Sequence, residues 1–209
     1  MRDDLERVCR CLPVFPLPRA VLMPGEVLPL HIFEPRYRAL IRYCLDTDKV
    51  MGIATPLQDQ HQERVPAIYP EVGIGEIVAH QGFQDGRSNI VIRYVGRALV
   101  HRELPSAHAF RLVDAALQPD HDVGERLDLG PLRALLLQLG AVSEEAGPEA
   151  RRLVTMDDAP LLDTLARKLL TEPAMRREYL RATTLRARAD LVTPILATFI
   201  QMGGPAGEA

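Results

Sequence analysis

The hydrophobic residues of the chain follow two different periods. Up to about residue 117, short apolar runs of strand length are separated by turn residues. From Leu127 onward, apolar residues recur at helical spacing, as in Leu132, Leu135, Leu136 and Leu139. The pattern therefore predicts an α+β protein, with a β-rich first half that contains one helix and a small helical bundle in the second half.

Seven runs in the first half have the composition of strands, and they cover residues 14–17, 27–33, 50–55, 72–80, 89–94, 98–103 and 110–115. Asp85-Gly86 lies between two of them, which is a strong hairpin signal. The spacing of the last four runs is typical of an antiparallel meander. Residues 58–70 are polar and contain two prolines, so they are predicted to be a loop.

The stretch 12–37 organises this half as strand, turn, strand and helix. Its strand prolines, Pro13, Pro16, Pro18 and Pro29, have no N–H to donate, so they predict strands at a sheet edge or with irregular pairing, in a small and strongly curved sheet.

A helix is predicted to follow at once, over residues 35–45. Pro35 suits its first position, and Glu34 places a carboxylate at its positive end. One face of this helix carries Tyr37, Leu40, Ile41 and Cys44.

The domain boundaries follow from the change of period. We expect a β-rich subdomain over residues 1–118, a polar linker over 119–130, a helical subdomain over 131–202 and a disordered tail over 203–209. Two further helices are predicted from apolar residues at helical spacing around Leu161 to Leu169 and Leu185 to Phe199.

Composition narrows the classes of function. The net charge is −3 and the pI is about 6.1, which gives no general attraction to nucleic acid or to an anionic membrane. Cys9, Cys11 and Cys44 cannot all pair, so we expect reduced thiols. The N-terminus lacks the features of a signal peptide and no apolar run has the length of a membrane span, so the predicted localisation is cytoplasmic, without membrane contact.

The sequence contains no motif for catalysis or for a cofactor. It lacks the Gly-x-x-x-x-Gly-Lys-Ser/Thr loop that cradles nucleotide phosphates, and none of its serines lies in Gly-x-Ser-x-Gly. His31 and Glu34 straddle a strand end instead of sharing a helix face, so they do not form a zinc motif. We predict no catalytic residues, no metal and no cofactor.

Several motifs together resemble the N-terminal, substrate-binding domain of Lon proteases. They are Pro-Val-Phe-Pro-Leu at 13–17, the Pro24-Gly25 turn, Leu-Pro-Leu-His-Ile-Phe-Glu-Pro-Arg-Tyr at 28–37, and the segments 69–77 and 85–99. The resemblance covers most of the chain. It implies a PUA-like β pseudo-barrel followed by a helical subdomain, in a stand-alone member of the family that lacks the ATPase and protease domains.

The resemblance also implies a non-catalytic module that binds unfolded polypeptide segments or a protein partner, such as a Lon-type protease, as an adaptor in ATP-dependent proteolysis. The candidate binding residues are Leu28, Leu30, Ile32, Phe33, Glu34, Arg36, Tyr37 and Tyr69. For Glu34, Arg36 and Tyr37, helix capping, a buried ion pair and core packing are the favoured roles. The alternatives are an RNA-binding PUA-like protein, which the neutral β-rich half disfavours, and a small-molecule hydrolase.

A basic face in the second half has two readings. Nucleic acid or an acidic partner would bind such a face, but it has one aromatic residue, Tyr179, and therefore no stacking platform. We favour a solvated helix surface for its arginines, which are Arg176, Arg177, Arg181, Arg186 and Arg188.

Overall fold

The computed structural model describes residues 2–57, 66–119, 127–142 and 146–202 of the chain. They form two compact units, of which the first comprises Met1–Pro119 with Arg176–Arg181, and the second Asp120–Met175 with Ala182–Ala209. The predicted α+β class is confirmed, with strands concentrated in the first unit and helices in the second. The predicted tail at 203–209 and most of the predicted linker lie outside the described residues.

The first unit contains two helices and six strands before residue 119, namely α1 (Arg2–Cys9), β1 (Leu12–Pro16), β2 (Val27–Ile32), α2 (Pro35–Asp46), β3 (Val50–Pro56), β4 (Ile68–Gly82), β5 (Ser88–Leu104) and β6 (Arg111–Gln118). Two of the predicted strands are one, because β5 runs without interruption through Gly96. The predicted loop at 58–70 ends early, since β4 begins at Ile68. Residues 58–65 of that loop lie outside the described residues.

The six strands form one sheet that closes on itself. The strand order is β2-β5-β4-β3-β1-β6, and β5 pairs with β6 in addition. The length of β5 makes this closure feasible, because residues 88–93 pair with β2 and residues 97–104 with β6. Shifts of register in the β4–β5 and β5–β6 ladders add the bends that a closed sheet requires. The strong curvature expected from the prolines is present.

The prolines predict strands at a sheet edge or with irregular pairing: β2 is an edge strand, whereas β1 is an interior strand with two staggered ladders. Among the described strands β2 pairs with β5 alone, whereas β1 lies between β3 and β6. The prolines of β1 are tolerated because its two ladders are staggered, with Pro13 only in the β6 ladder and Pro16 only in the β3 ladder. Leu17 N–H donates to the Ala54 carbonyl, so by alternation the nitrogen of Pro16 points away from β3.

Helix α2 packs its apolar face into the core of the first unit. Tyr37, Leu40, Ile41 and Cys44 are all buried, as their spacing predicts. The backbone carbonyl of Glu34 accepts the first helical bonds, while its side chain caps no N–H. The side chains of α2 pack into a cluster that also contains residues of β1, β2, β3, β4 and β5.

The helices of the second half are α3 (Gly130–Val142), α4 (Gly147–Val154), α5 (Asp158–Leu169), α6 (Pro173–Arg181) and α7 (Leu185–Gln201). Apolar spacing predicts α3, α5 and α7 but does not predict the short α4. Its sequence, Gly-Pro-Glu-Ala-Arg-Arg-Leu-Val, has only Ala150 and Leu153 as buried side chains, which is too few for a visible period. Among the described residues, none of the helices combines the length and apolar character that a membrane span requires.

The last turns of α6 belong to the first unit, and a buried arginine of β5 binds a carbonyl near their end. Arg97 on β5 is 1% exposed and donates to the Leu180 carbonyl at 2.8 Å and to the Pro119 carbonyl at 2.7 Å. A guanidinium with several donors suits this task, since the last carbonyls of a helix lack intrahelical partners. Arg97 thereby fixes the C-terminal end of α6 to the sheet.

Candidate functional site

A groove of about 440 Å³ opens on the first unit where β1, the end of β2 and the start of α2 meet. Its lining is mainly apolar and unusually rich in proline. Proline side chains are apolar and carry no N–H, so this surface offers shape and apolar area more than hydrogen bonds. The residues that line it are Val14, Phe15, Pro16, Leu17, Pro18, Leu30, His31, Ile32, Phe33, Glu34, Arg36, Tyr37, Pro56, Pro66, Ala109, Phe110 and Arg111.

Two stacked aromatic rings form the floor of the groove. The rings of Phe15 and Tyr37 have centroids 4.2 Å apart, and the Tyr37 hydroxyl donates to the Pro16 carbonyl at 3.4 Å. Burial raises the pKa of Tyr37, so its phenol stays neutral and remains a hydrogen-bond donor at physiological pH. The floor is therefore rigid and uncharged.

Charged side chains lie at the rim of the groove. Arg36 donates to the Glu34 carboxylate at 2.9 Å, and its guanidinium carbon lies 4.5 Å from the centre of the Tyr37 ring. The prediction that this ion pair is buried is wrong, because both side chains are more than a third exposed. Opposite them, Arg111 is held by two bonds to Glu103 and by the Pro66 carbonyl. Both rim arginines are thus paired with carboxylates.

None of the described strands pairs with the second edge of β2, so β2 presents one free edge beside the groove. The Glu26 carbonyl accepts from Tyr94 N–H at 3.0 Å, and by alternation Leu28, Leu30 and Ile32 direct their backbone groups toward β5. The backbone groups of the alternate residues, including Pro29, then face the free edge. Because Pro29 has no N–H, the middle of this edge lacks one of the donors that an added strand would use.

An exposed aromatic cluster continues from the mouth of the groove. Phe33 is 59% exposed, and its ring centroid lies 6.2 Å from that of His31. The His31 ring in turn lies 6.3 Å from Phe83, while its Nδ1 is 2.7 Å from the Asn89 side-chain oxygen. Large apolar side chains at such exposure mark candidate contact surfaces.

The eight candidate residues from the sequence fall into three groups. Six of them line the groove, namely Leu30, Ile32, Phe33, Glu34, Arg36 and Tyr37. Leu28 is half-buried and packs against the core cluster. Tyr69 is half-buried on β4, and Arg177 covers its ring at 3.6 Å from the centroid. Within the groove, Ile32 and Tyr37 are buried in the core, whereas Phe33 is largely exposed.

Sequence reasoning missed the opposite wall of the groove. In the sequence, Pro16 and Pro18 predict only an edge or irregular strand, although prolines also provide apolar surface. Phe110 and Arg111 reach the groove because β6 pairs with both β1 and β5. The β1–β6 pairing joins residues about 100 positions apart in the sequence, and no local pattern indicates it.

Several arginines of the basic face bind carboxylates, although Arg181 and Arg186 are exposed as a solvated surface predicts. Arg176 donates to Glu26 at 3.0 Å, and Arg181 binds Glu71, a carboxylate that is 3% exposed. Arg188 is 1% exposed and donates to Asp163 at 3.3 Å. The favoured reading of a solvated helix surface is therefore wrong for Arg188, which is a buried residue that binds a carboxylate of α5.

Within the part of the chain that the structure describes, no group of three or more His, Cys, Asp or Glu side chains is arranged to hold a metal ion. Cys9 and Cys44 are buried as free thiols, and Cys11 is exposed. The groove itself combines an apolar floor, an exposed aromatic residue at its mouth and paired charges at its rim.

These features define an α+β protein with a closed sheet and an apolar surface groove beside its edge strand. The chain belongs to the family described as the ATP-dependent protease La (LON) substrate-binding domain, whose model matches residues 11–198. The resemblance noted in the sequence is thereby confirmed.

Individual relatives agree with this assignment. The chain is 23% identical to a Lon protease of Elusimicrobium minutum over 97% of its own length, and 26% identical to Lon protease 2 of Myxococcus xanthus over 93%. It spans about a quarter of the length of these two relatives (25% and 24%).

Solved structures show the same fold. A Lon N-terminal domain protein from Xanthomonas campestris has a TM-score of 0.65 at 25% identity, with 86% of this chain and 95% of that one covered. The N-terminal domain of the Mycobacterium avium complex Lon protease has a TM-score of 0.63 at 19% identity, with 90% and 98% covered. The matches extend across both the β-rich and the helical parts.

Proposed function

We propose that this chain binds extended polypeptide segments through their apolar side chains, with the groove between β1, β2 and α2 as the binding site. The observation that carries the proposal is the apolar, proline-rich groove of about 440 Å³ with Phe33 exposed at its mouth, in a member of a substrate-binding domain family. A volume of this size accommodates one or two large apolar side chains.

Side-chain binding is favoured over strand addition along β2. An added strand needs a regular row of donors and acceptors, and Pro29 interrupts the donors at the free edge. The groove, by contrast, is formed by rigid elements: its floor is a stacked aromatic pair, and its walls are proline residues with restricted backbone. A preformed site of this kind orders little on binding, which lowers the entropic cost.

The proposed role in the cell is recognition without catalysis. The family match covers a substrate-binding domain, so cleavage of a bound polypeptide would depend on an ATPase and protease supplied elsewhere. We place the chain as an adaptor that presents apolar segments to a Lon-type protease. In this role the purified chain binds peptides and leaves them intact.

Fluorescence anisotropy with labelled peptides tests the groove. The probes are two peptides of about twelve residues that differ only in the centre, one with Phe and Leu and the other with Ser and Gln. The test variant is Ala109→Glu, which puts a charge on an exposed position of the groove lining, and the control is Ala107→Glu, an exposed position outside that lining.

The apolar peptide is expected to bind at least about ten-fold more tightly than the polar one, and Ala109→Glu is expected to remove most of that difference, because a charge in an apolar site is poorly solvated. Ala107→Glu should leave the affinity unchanged. Equal binding of the two peptides, or equal effects of the two variants, would contradict the proposal.

A further inference from the structure

A second, smaller pocket of about 220 Å³ lies on the first unit between α2 and the β4–β5 hairpin. Arginine dominates its polar lining, in contrast to the groove. We call it the basic pocket and define it by Arg38 and Arg42 of α2, His80 of β4, and Phe83 and Arg87 of the hairpin. Asp46 is the one carboxylate in its lining, against three guanidinium groups.

The two helix arginines of the basic pocket differ from the other arginines of the pocket and the groove. Arg36, Arg87 and Arg111 each bind a carboxylate. Arg38 and Arg42 make no side-chain hydrogen bond or ion pair with the described residues, although the charge of Arg38 helps to lower the pKa of Asp85. They are four residues apart on one helix face, where like charges repel each other. An anion between them would relieve that repulsion.

The hairpin turn holds Arg38 at the pocket. Gly86 has φ of 81°, and a Cβ atom at this position would come within 1.7 Å of the Arg38 Nη2 atom. The guanidinium therefore lies against a turn that only glycine permits. On the same turn, the Arg87 guanidinium donates to the Asp85 carboxylate at 2.6 Å, and the backbone N–H of Arg87 donates to the other oxygen of that carboxylate. Two of the three guanidinium groups are thus positioned before any ligand arrives.

The basic pocket and the groove are joined by the exposed aromatic cluster. His31 and Phe33 line the groove, Phe83 lines the basic pocket, and the His31 ring lies 6.3 Å from the Phe83 ring. The ring-to-ring path from Phe33 through His31 to Phe83 is about 12.5 Å, which corresponds to about four residues of extended chain. One polypeptide is long enough to occupy both sites.

We propose that the basic pocket binds the carboxylate of an acidic side chain, Asp or Glu, that lies about four to six residues from the apolar anchor of a bound polypeptide. This inference rests on the proposed function of the groove, and it adds a class of ligand: apolar segments with an acidic flank. Guanidinium groups bind carboxylates with charge-assisted hydrogen bonds, and Phe83 supplies apolar contact for the side-chain stem.

A peptide ligand is favoured over nucleic acid at this pocket. The positive charge is confined to one small pocket that also contains Asp46, whereas a nucleic-acid surface needs a basic track along several phosphates. The net charge of the whole chain, −3, points the same way.

The test compares two peptides that share one apolar centre and differ in a flank of two Glu or two Gln residues. They are measured by anisotropy against wild type, against Arg38→Gln/Arg42→Gln and against Arg10→Gln/Arg102→Gln. The last variant removes the same charge from the first unit at positions outside the basic pocket. If the double variant is destabilised, Arg42→Gln alone replaces it in the same comparison, because Arg42 is exposed.

Wild type is expected to bind the Glu peptide about ten-fold more tightly than the Gln peptide, and Arg38→Gln/Arg42→Gln should abolish this preference without changing the affinity for the Gln peptide. Arg10→Gln/Arg102→Gln should retain the preference. A preference reduced equally in both double variants would reflect general charge attraction and overturn the inference.

Two other outcomes separate the inference from the proposed function. Equal, tight binding of both peptides by wild type would contradict the proposed role of the basic pocket and support that of the groove. Binding of neither peptide would contradict both proposals. Single-stranded RNA is included as a competitor. The contrary result is that RNA displaces the Glu peptide from wild type and fails to bind Arg38→Gln/Arg42→Gln. That result would identify the pocket as an RNA-binding site and contradict the inference.

Discussion

Strands β1 and β2 are similar in sequence and opposite in environment. Both are short, apolar and interrupted by proline, yet β1 lies between two strands with its side chains largely buried, and β2 lies at the edge with alternate residues exposed. Each provides one wall of the groove. The fixed wall and the exposed wall together give a site that is both preformed and open to a ligand.

The difference shows what a strand proline determines. A proline in a strand leaves one side of the backbone without a hydrogen-bond donor at that position. At Pro29 this side faces the free edge of the sheet. At Pro13 and Pro16 the two ladders of β1 are staggered, so each proline pairs with only one neighbouring strand. A proline therefore does not by itself identify an edge strand. Experiments can test directly whether β1 is tightly packed and whether the outer edge of β2 is open to other chains.

Thiol labelling should show the largest effect. Cys9, just before β1, and Cys44, on α2, are buried, and burial raises their pKa values to about 11 and about 12. Their thiolates thus form only well above neutral pH, whereas Cys11 is exposed. At pH 8, iodoacetamide should label Cys11 more than about a hundred-fold faster than either buried thiol. Mass spectrometry reads the sites, and rapid labelling of Cys9 would show that β1 is not securely packed.

A cavity in β1 should cost more stability than one in β2. Leu12 is fully buried and packs against Gly52, so Leu12→Ala should lower the free energy of unfolding by about 2–5 kcal/mol. Leu28→Ala, at a half-buried position of β2, should cost less than about half as much. Urea denaturation gives both values, and equal losses would remove the distinction between the two strands.

Restoring the missing donor of β2 should promote self-association with little change in stability. Pro29→Val adds an N–H to the free edge of β2 and a residue with high strand propensity, so edge-to-edge pairing becomes easier. Sedimentation velocity should detect a concentration-dependent dimer or larger species. His31→Val is the control, because it adds apolar surface to the same edge without a new backbone donor. Association of both variants to the same extent would assign the effect to hydrophobicity alone.

The smallest effect on stability is expected for Phe33→Ala. This side chain is 59% exposed, so its removal should change the free energy of unfolding by less than about 0.5 kcal/mol. The same substitution should nevertheless weaken binding of an apolar peptide by roughly ten-fold, because an exposed aromatic at the mouth of a groove acts as an anchor. A large loss of stability with unchanged binding would make Phe33 a structural residue.

Local rules predicted much of the first unit. The face of α2 that carries Leu40 and Cys44, the start of that helix at Pro35, and the Asp85-Gly86 hairpin follow from period and turn chemistry that depend on near neighbours. The family motif at 28–37 supports the same fold, and most of its residues line one side of the groove.

What sequence reasoning missed depends on contacts distant in the chain. The interior position of β1 requires the β1–β6 ladder, and the burial of Arg97 and Arg188 requires carbonyl and carboxylate partners that have no fixed spacing from them. Charge counting alone classed Arg188 with solvated residues, because burial of an arginine is rare unless a partner compensates it. The second wall of the groove was missed for the same reason.

The most direct test of the central claim is photo-crosslinking from a single position. A benzoylphenylalanine in place of Phe33, which is 59% exposed at the groove, is compared with one in place of Leu137, which is 55% exposed on α3 of the second unit. The two probes match in exposure and differ in location. With an unfolded, apolar client polypeptide, we predict strong cross-linking from position 33 that an unlabelled apolar peptide suppresses, and background cross-linking from position 137. Equal yields from both positions, or cross-linking from 137 alone, would contradict the assignment of the groove as the polypeptide-binding site.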